Sequence, residues 1–179
     1  LAMLNQKDLS KKMSKDIDEM EKMLNDYLQF AKTQSQEETG QIEVTELFNE
    51  IQNIFNDDNL KISYSEKIIL NGRPMALKRS FENIIQNGLI YGEKVFINMQ
   101  KGANRVSIIF DDNGPGIPED QFRNVFKPFV RLDKSRSLNK SGVGLGLAIV
   151  EDVINSHGGS IQLGTSKYKG LQVKISLPF

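Results

Sequence analysis

The sequence predicts an α+β fold: a layered α/β sandwich of about five strands and three helices, preceded by one long helix. Three observations carry this. Two alternating apolar runs, Val95–Met99 and Arg105–Phe110, flank Lys101-Gly102-Ala103-Asn104 and read as a β-hairpin. Stretches of helical period at 44–55, 74–91 and 143–156 alternate with short strand candidates. Residues 1 to about 33 contain no proline or glycine and carry one apolar seam.

That seam runs through Met13, Ile17, Met20, Leu24, Tyr27 and Ala31, in steps of 4, 3, 4, 3 and 4, with Lys, Asp, Glu and Asn between. Such a stripe suits a helical bundle or dimer; packing on its own domain is the alternative. Thr33 to Gln41 is polar with one glycine and reads as a linker. The domains are therefore expected at 1–38 and 39–179. Val44 to Phe55 follows as an amphipathic helix with Leu47, Phe48, Ile51, Ile54 and Phe55 on one face and Thr45 helping to cap its start.

Leu60–Tyr64 and Lys67–Leu70 are short strand candidates. Pro74 suits the first turn of a helix that runs to about Tyr91. After the hairpin, Pro118 to Val125 is read as a short helix, and Arg131 to Ser141, almost without apolar residues, as a mobile loop. Val143 to Ser156 is the third long helix, stopped by His157-Gly158-Gly159. Ser160–Gly164 and Leu171–Leu177 are the last strands, completing a sheet with helices on one face.

The 179 residues are 39% hydrophobic and 26% charged, with 23 basic and 23 acidic side chains and a net charge of zero. That balance gives no support for nucleic-acid binding. The absence of cysteine excludes disulfides and cysteine-type zinc sites. No apolar run is long enough to span a bilayer. Because the chain starts at Leu1, a fragment is expected, with any membrane anchor outside it.

Three clusters carry chemistry. Asp112-Asn113-Gly114-Pro115-Gly116-Ile117 closes the second hairpin strand. Its carboxylate sits beside a backbone with almost no side chains, and so can accept a hydrogen bond from an exocyclic amine of a flat ligand; an ordinary turn is the alternative. On the helix from Pro74, Leu77, Phe81, Ile84 and Gly88 share the core side. Asn83 and Asn87 stack on the opposite side, with Tyr91 one turn further. Two stacked amides suit a hard cation such as Mg²⁺, which takes neutral oxygens beside phosphates; two solvated asparagines are the alternative.

Gly142-Val143-Gly144-Leu145-Gly146-Leu147 opens the third helix. Free N–H groups there suit phosphate. No G-K-[ST] follows, and a polar loop rather than a strand precedes, so neither a P-loop nor a dinucleotide fingerprint is present. Close packing of helix on sheet is the alternative. Phe126-Lys127-Pro128-Phe129, Arg131, Lys134 and Arg136 lie just upstream and add cations.

In this order and rough spacing, Asn83-x-x-x-Asn87, Asp112-x-Gly114-x-Gly116, Phe126-x-Pro128-Phe129 and Gly142-x-Gly144-x-Gly146-Leu147 resemble the N box, first glycine box, F box and second glycine box of sensor histidine kinases. That family shares its ATP-binding fold, the Bergerat or GHKL ATPase fold, with gyrase and MutL. The resemblance covers nearly the whole chain and is greatest to osmosensor kinases of the EnvZ type. It implies that residues 1 to about 33 are the second helix of a dimerisation and phosphotransfer hairpin.

The resemblance implies ATP and Mg²⁺ as ligands. Asn83 and Asn87 act at the phosphates, with Asn87 holding the metal; Tyr91 lies on the adenine and Asp112 binds its amino group. Gly114, Gly116, Ile117, Phe129, Arg131, Lys134, Arg136, Gly142, Val143, Gly144, Leu145, Gly146 and Thr165 complete the nucleotide set, and about Pro118 to Ser141 form the ATP lid. It further implies a homodimer through the hairpin, a response regulator as partner, no nucleic acid, and a cytoplasmic portion of an inner-membrane bacterial protein. The γ-phosphoryl would pass to a histidine and then to an aspartate.

Departures from the pattern are Ile90 in place of a Lys or Arg, Gly88 in place of Ala, and Val143 in place of Thr. The single histidine, His157, lacks the acceptor's context and reads as a helix C-terminal residue favoured by the dipole. Competing functions are a gyrase-like ATP-hydrolysing switch, which needs a glutamate at Asn83 where Glu82 is one residue off, and a non-catalytic regulatory module.

Overall fold

The structure, a computed structural model, describes residues 10, 13, 14, 17, 18, 20, 21, 37–55, 58–132 and 144–179. The chain divides into two compact units between Gln36 and Glu37. Of the first unit, Ser10, Met13, Ser14, Ile17, Asp18, Met20 and Glu21 are helical and exposed. The remainder of the predicted long helix, including Leu24, Tyr27 and Ala31, lies outside the described residues.

In the second unit the elements run β1 Gly40–Glu43, α1 Val44–Phe55, β2 Leu60–Tyr64, β3 Ile69–Gly72, α2 Pro74–Tyr91, β4 Val95–Lys101 and β5 Arg105–Asp112, followed by a 3-10 turn at Glu119–Gln121, α3 Gly146–Ser156, β6 Ser160–Thr165 and β7 Leu171–Pro178. The main sheet has the order β2-β4-β5-β7-β6. β2 pairs β4 in parallel, and the other pairs are antiparallel. β1 and β3 form a separate two-stranded antiparallel sheet, Gly40 opposite Gly72.

Strand alternation sets the core. Val95, Ile97 and Met99 of β4, Val106, Ile108 and Phe110 of β5, and Val173, Ile175 and Leu177 of β7 are all buried on one face. The helices lay Phe48 and Ile51, Leu77, Phe81, Ile84 and Ile85, and Val150, Val153 and Ile154 into the same core. Phe48 and Phe81 stack at 4.8 Å between ring centroids, and Phe110 lies 6.0 and 5.9 Å from them. Each such aromatic pair contributes about 0.5–1.5 kcal/mol beyond area burial. This cluster fixes the end of β5. With a period of two, Asp112 shares the helix side of the sheet with Phe110, while Asp111 faces the other side and accepts from Gln172 Nε2 at 3.0 Å.

Several local expectations are corrected. Gly40–Glu43, read as linker and helix approach, is a strand, because pairing with β3 supplies its ladder. The strand expected at Lys67–Leu70 is shifted to Ile69–Gly72. Thr45 lies inside α1, and its hydroxyl donates to Glu43 Oε1 at 3.0 Å rather than accepting a helix N–H. The helix expected over Pro118–Val125 is only a 3-10 turn, Glu119–Gln121. α3 begins at Gly146, not Val143, because Gly144 takes φ 78° and cannot continue a right-handed helix. Of the loop expected over Arg131–Ser141, all but Arg131 and Leu132 lie outside the described residues.

Candidate functional site

The site begins with close backbone approaches. At Gly88 on α2 a Cβ would stand 2.6 Å from Val95 Cγ2 and 3.5 Å from Asp112 Cβ. Glycine there lets α2 settle onto the end of the β4–β5 hairpin, and so brings the helix that carries Asn83 and Asn87 against Asp112. At Gly170, between β6 and β7, a Cβ would collide with Asp112 Oδ1 and its carbonyl oxygen. The backbone of that turn is seated directly on the carboxylate.

Asp112 Oδ1 accepts the N–H of Gly114 at 2.8 Å and the N–H of Leu171 at 3.0 Å. Both bonds fall on the same oxygen, which leaves Oδ2 for a ligand. Burial pushes the carboxyl pKa up from its ordinary value, the two N–H donors oppose that, and the neighbouring Asp111 adds to it. The result is a fixed, partly desolvated acceptor.

The second half of the site lies where α2 faces the start of α3. A Cβ at Gly146 would stand 3.6 Å from Asn87 Nδ2 and 4.0 Å from Asn83 Cγ. Asn83, Asn87 and the second glycine cluster are thus brought together. Among the described residues no side chain caps the start of α3, whose first N–H groups can therefore serve an anion. Phe129 N–H donates to the carbonyl of Gly144 at 2.9 Å, with both residues at positive φ, 65° and 78°.

The other predicted residues surround this core. Tyr91 ends α2 with 40% of its surface exposed, and a Cβ at Gly114 would stand 3.0 Å from its carbonyl oxygen. Gly116 and Ile117 are half-buried beyond it, Gly116 packing on Gly170. Leu145 is buried. Thr165 is exposed, but its partner across the β6–β7 ladder is Leu171, whose N–H holds Asp112. Phe129 is 62% exposed, and Arg131 is exposed beside it. Lys134, Arg136, Gly142 and Val143 lie outside the described residues.

Sequence reasoning did not assign Gly170 or Leu171 to the site. The only signal was a glycine before a strand, which carries no hint of the carboxylate it packs on. It placed His157 at the helix end, where it is, but did not foresee its partners. Nδ1 lies 2.7 Å from the carbonyl of Val153, which can only accept, so Nδ1 carries the proton. Nε2 accepts the backbone N–H of Arg73 at 3.0 Å. Burial, assisted by the Arg73 charge, lowers the imidazole pKa, against the Val153 bond and Glu37. His157 is a neutral bridge between two helices rather than a cation on a dipole.

Residues 72–179 match the histidine kinase-, DNA gyrase B-, and HSP90-like ATPase family. The chain belongs to that family. All four sequence boxes lie inside the matched residues. Among its relatives, the sensor histidine kinase GtrS of Pseudomonas aeruginosa is 32% identical over 178 residues, covering 98% of this chain and 37% of GtrS. The sensor histidine kinase CpxA of Escherichia coli is 38% identical over 110 residues, 61% of this chain and 24% of CpxA. The chain thus spans little more than a third of the length of GtrS.

The histidine kinase domain of the Escherichia coli osmosensor EnvZ superposes with a TM-score of 0.62 at 30% identity, over 80% of this chain and 91% of that domain. The resemblance to sensor histidine kinases, those of the EnvZ type included, is borne out, as is the α+β ATPase fold of five sheet strands and three helices. Among the described residues no helix is long and apolar enough to cross a membrane.

Proposed function

We propose that this chain is the ATP-binding catalytic portion of a sensor histidine kinase, which transfers the γ-phosphoryl of ATP to a histidine on a dimerisation hairpin. From there the phosphoryl passes to an aspartate of a response regulator. The full protein acts as a homodimer, and any membrane anchor lies in other parts of it. The observation that carries this reading is the meeting of Asn83, Asn87 and Gly146 on the same helix side of the sheet as the ligand-facing oxygen of Asp112.

Each group has a job that its geometry allows. Asp112 Oδ2 accepts from the adenine amino group, while Oδ1 is occupied by backbone. Tyr91 covers the base. The N–H groups opening α3 take the phosphates, with Arg131 at their edge. Asn83 and Asn87 offer neutral amide oxygens, and the missing Cβ at Gly146 leaves room beside them. That donor set fits Mg²⁺ shared with phosphate oxygens, with Asn87 as its protein ligand. Among the described residues no group of three His, Cys, Asp or Glu side chains could hold a metal alone. When bound, the cation neutralises charge on the transferring phosphoryl group. The bond from the γ-phosphorus to the bridging oxygen breaks, a bond to the acceptor imidazole nitrogen forms, and ADP leaves.

A hydrolytic switch is disfavoured by Glu82. It follows Lys78 by one turn, and Lys78 is paired with Glu50 of α1 at 2.7 Å. Glu82 therefore lies on the α1 side of α2, away from Gly146. Burial raises its pKa against the pull of Lys78 and Arg79.

Calorimetric titration with Mg-ATP tests the assignment. Asp112→Ala should bind more weakly by about 1–3 kcal/mol, since the amine loses its partner. Equal affinities for wild type and variant would remove the adenine assignment.

A further inference from the structure

The start of α2 is closed by groups from two distant parts of the unit. The carboxylate of Glu37 accepts the backbone N–H groups of Met75 and Ala76, the latter at 3.0 Å. Pro74 has no N–H, so two of the three donors that this helix start leaves open are thereby satisfied, with negative charge at the positive end of the dipole. Arg73, the N-cap residue, provides no side-chain cap of its own. It turns to the end of α3 instead. Its backbone N–H donates to His157 Nε2 at 3.0 Å, and its guanidinium donates to Ser156 Oγ.

From this junction α2 runs about 12 Å, at 1.5 Å per residue, to Asn83, and one turn more to Asn87. α3 runs the other way, from Gly146 opposite those asparagines to Ser156 at the junction. The two helices form an antiparallel pair. One end is tied through Arg73, Ser156 and His157. At the other, among the described residues, no hydrogen bond joins Asn83 or Asn87 to α3. The tie at the closed end therefore contributes, with packing, to the spacing at the open end.

We propose that Glu37, Arg73 and His157 are positioning residues for the phosphate end of the nucleotide site, with Glu37 the member that the preceding chain can move. This rests on the nucleotide reading given above. Glu37 is the first residue of its unit, so a pull transmitted along the backbone from residues 1–36 reaches this carboxylate first. Drawing it away frees two N–H groups, loosens the first turn of α2, and lets Asn83 and Asn87 shift against Gly146. The adenine end is held by other parts: Asp112 is fixed by Gly114 and Leu171, neither of which touches the junction. The junction thus sets affinity for phosphate and cation while leaving recognition of the base alone.

The experiment compares the full chain with Glu37→Ala and Glu37→Gln. Mg-ATP is titrated by calorimetry, and adenosine by amide shift changes at Gly114 and Leu171. Glu37→Ala should lose about five-fold or more in Mg-ATP affinity with adenosine binding unchanged. Glu37→Gln, which keeps one acceptor oxygen, should fall between. Amide exchange in the variants should quicken at Met75 and Ala76 and extend to Asn83. Unchanged Mg-ATP affinity in Glu37→Ala would overturn the proposal and leave the nucleotide site standing. Parallel loss of both ligands would overturn it too, as general destabilisation. A wild-type chain that binds neither ligand would overturn the nucleotide reading together with it.

Discussion

Asp112 accepts a hydrogen bond from the backbone N–H of Leu171, 59 residues further along the chain, at 3.0 Å. The bond joins the end of β5 to the start of β7 and spends one carboxylate oxygen on holding the other in place. On the function proposed above, ligand recognition and strand pairing share one side chain.

That sharing predicts a separation of stability from binding in Asp112→Asn. Burial raises the folded-state pKa of Asp112 above the ordinary 3.8, so the fold binds this proton more tightly than the unfolded chain does. Stability is then fully present below the ordinary carboxylate value and falls as pH rises through the raised one. An asparagine removes that cost and still offers Oδ1 to Gly114 and Leu171. It turns a donor toward the adenine amine, however. The unliganded variant should melt at or above the wild-type temperature near neutral pH, while nucleotide affinity drops by about 1–3 kcal/mol. A variant that melts lower and binds equally well would reverse both assignments.

His157 predicts the opposite slope. Its folded pKa lies below the ordinary 6.5, because burial and Arg73 disfavour the cation more than Glu37 and the Val153 carbonyl favour it. Its contribution is complete above the ordinary value and is lost as pH falls through the lowered one. Thermal midpoints measured from about pH 7 to about pH 5 should fall more steeply for wild type than for His157→Gln. Parallel curves would mean that folding leaves the imidazole pKa where it is in the unfolded chain, with no lowering by burial.

Gly88 and Val95 should behave as a coupled pair. Alanine in a helix interior gains up to about 1 kcal/mol over glycine. Here its methyl would stand 2.6 Å from Val95 Cγ2, a stiff β-branched group in β4, and overpacking costs about 1–3 kcal/mol. Gly88→Ala alone should be neutral to destabilising, and stabilising once Val95 is also alanine. Denaturant unfolding of the two singles and the double gives the interaction directly. Strict additivity would show that the close approach carries no energy.

Both ring nitrogens of His157 are engaged, Nδ1–H with Val153 and the Nε2 lone pair with Arg73. Neither is available to attack phosphorus in line. With radiolabelled ATP the chain alone should therefore take up no acid-labile label. A separate helical hairpin carrying an acceptor histidine should become labelled in its presence. Label on the chain alone that disappears in His157→Ala would make His157 an acceptor.

What the sequence made legible follows from range. Val44–Phe55 was read to its exact ends because five apolar residues recur at helical spacing within one element. The hairpin and the four boxes are likewise local patterns. β1 was not legible, since Gly40-Gln41-Ile42-Glu43 holds one apolar residue and becomes a strand only by pairing with Ile69–Gly72. Glu37 sat in a polar stretch that looked like spacer, and nothing nearby in sequence announces the N–H groups of Met75 and Ala76. His157 was placed correctly at a helix end, but its bond to the backbone N–H of Arg73 was not legible, because that partner lies 84 residues away.

The bond from Phe129 N–H to the Gly144 carbonyl has an architectural consequence. It brings together the two residues that flank positions 130–143, so the scaffold itself holds the ends of that stretch close to each other. Doubling its length would then cost only about 0.6 kcal/mol of further closure entropy. The scaffold can accept inserts of different length and composition between these two residues while Asp112, Asn83, Asn87 and Gly146 keep their places, which makes this a natural point for exchanging sequence between members of the family.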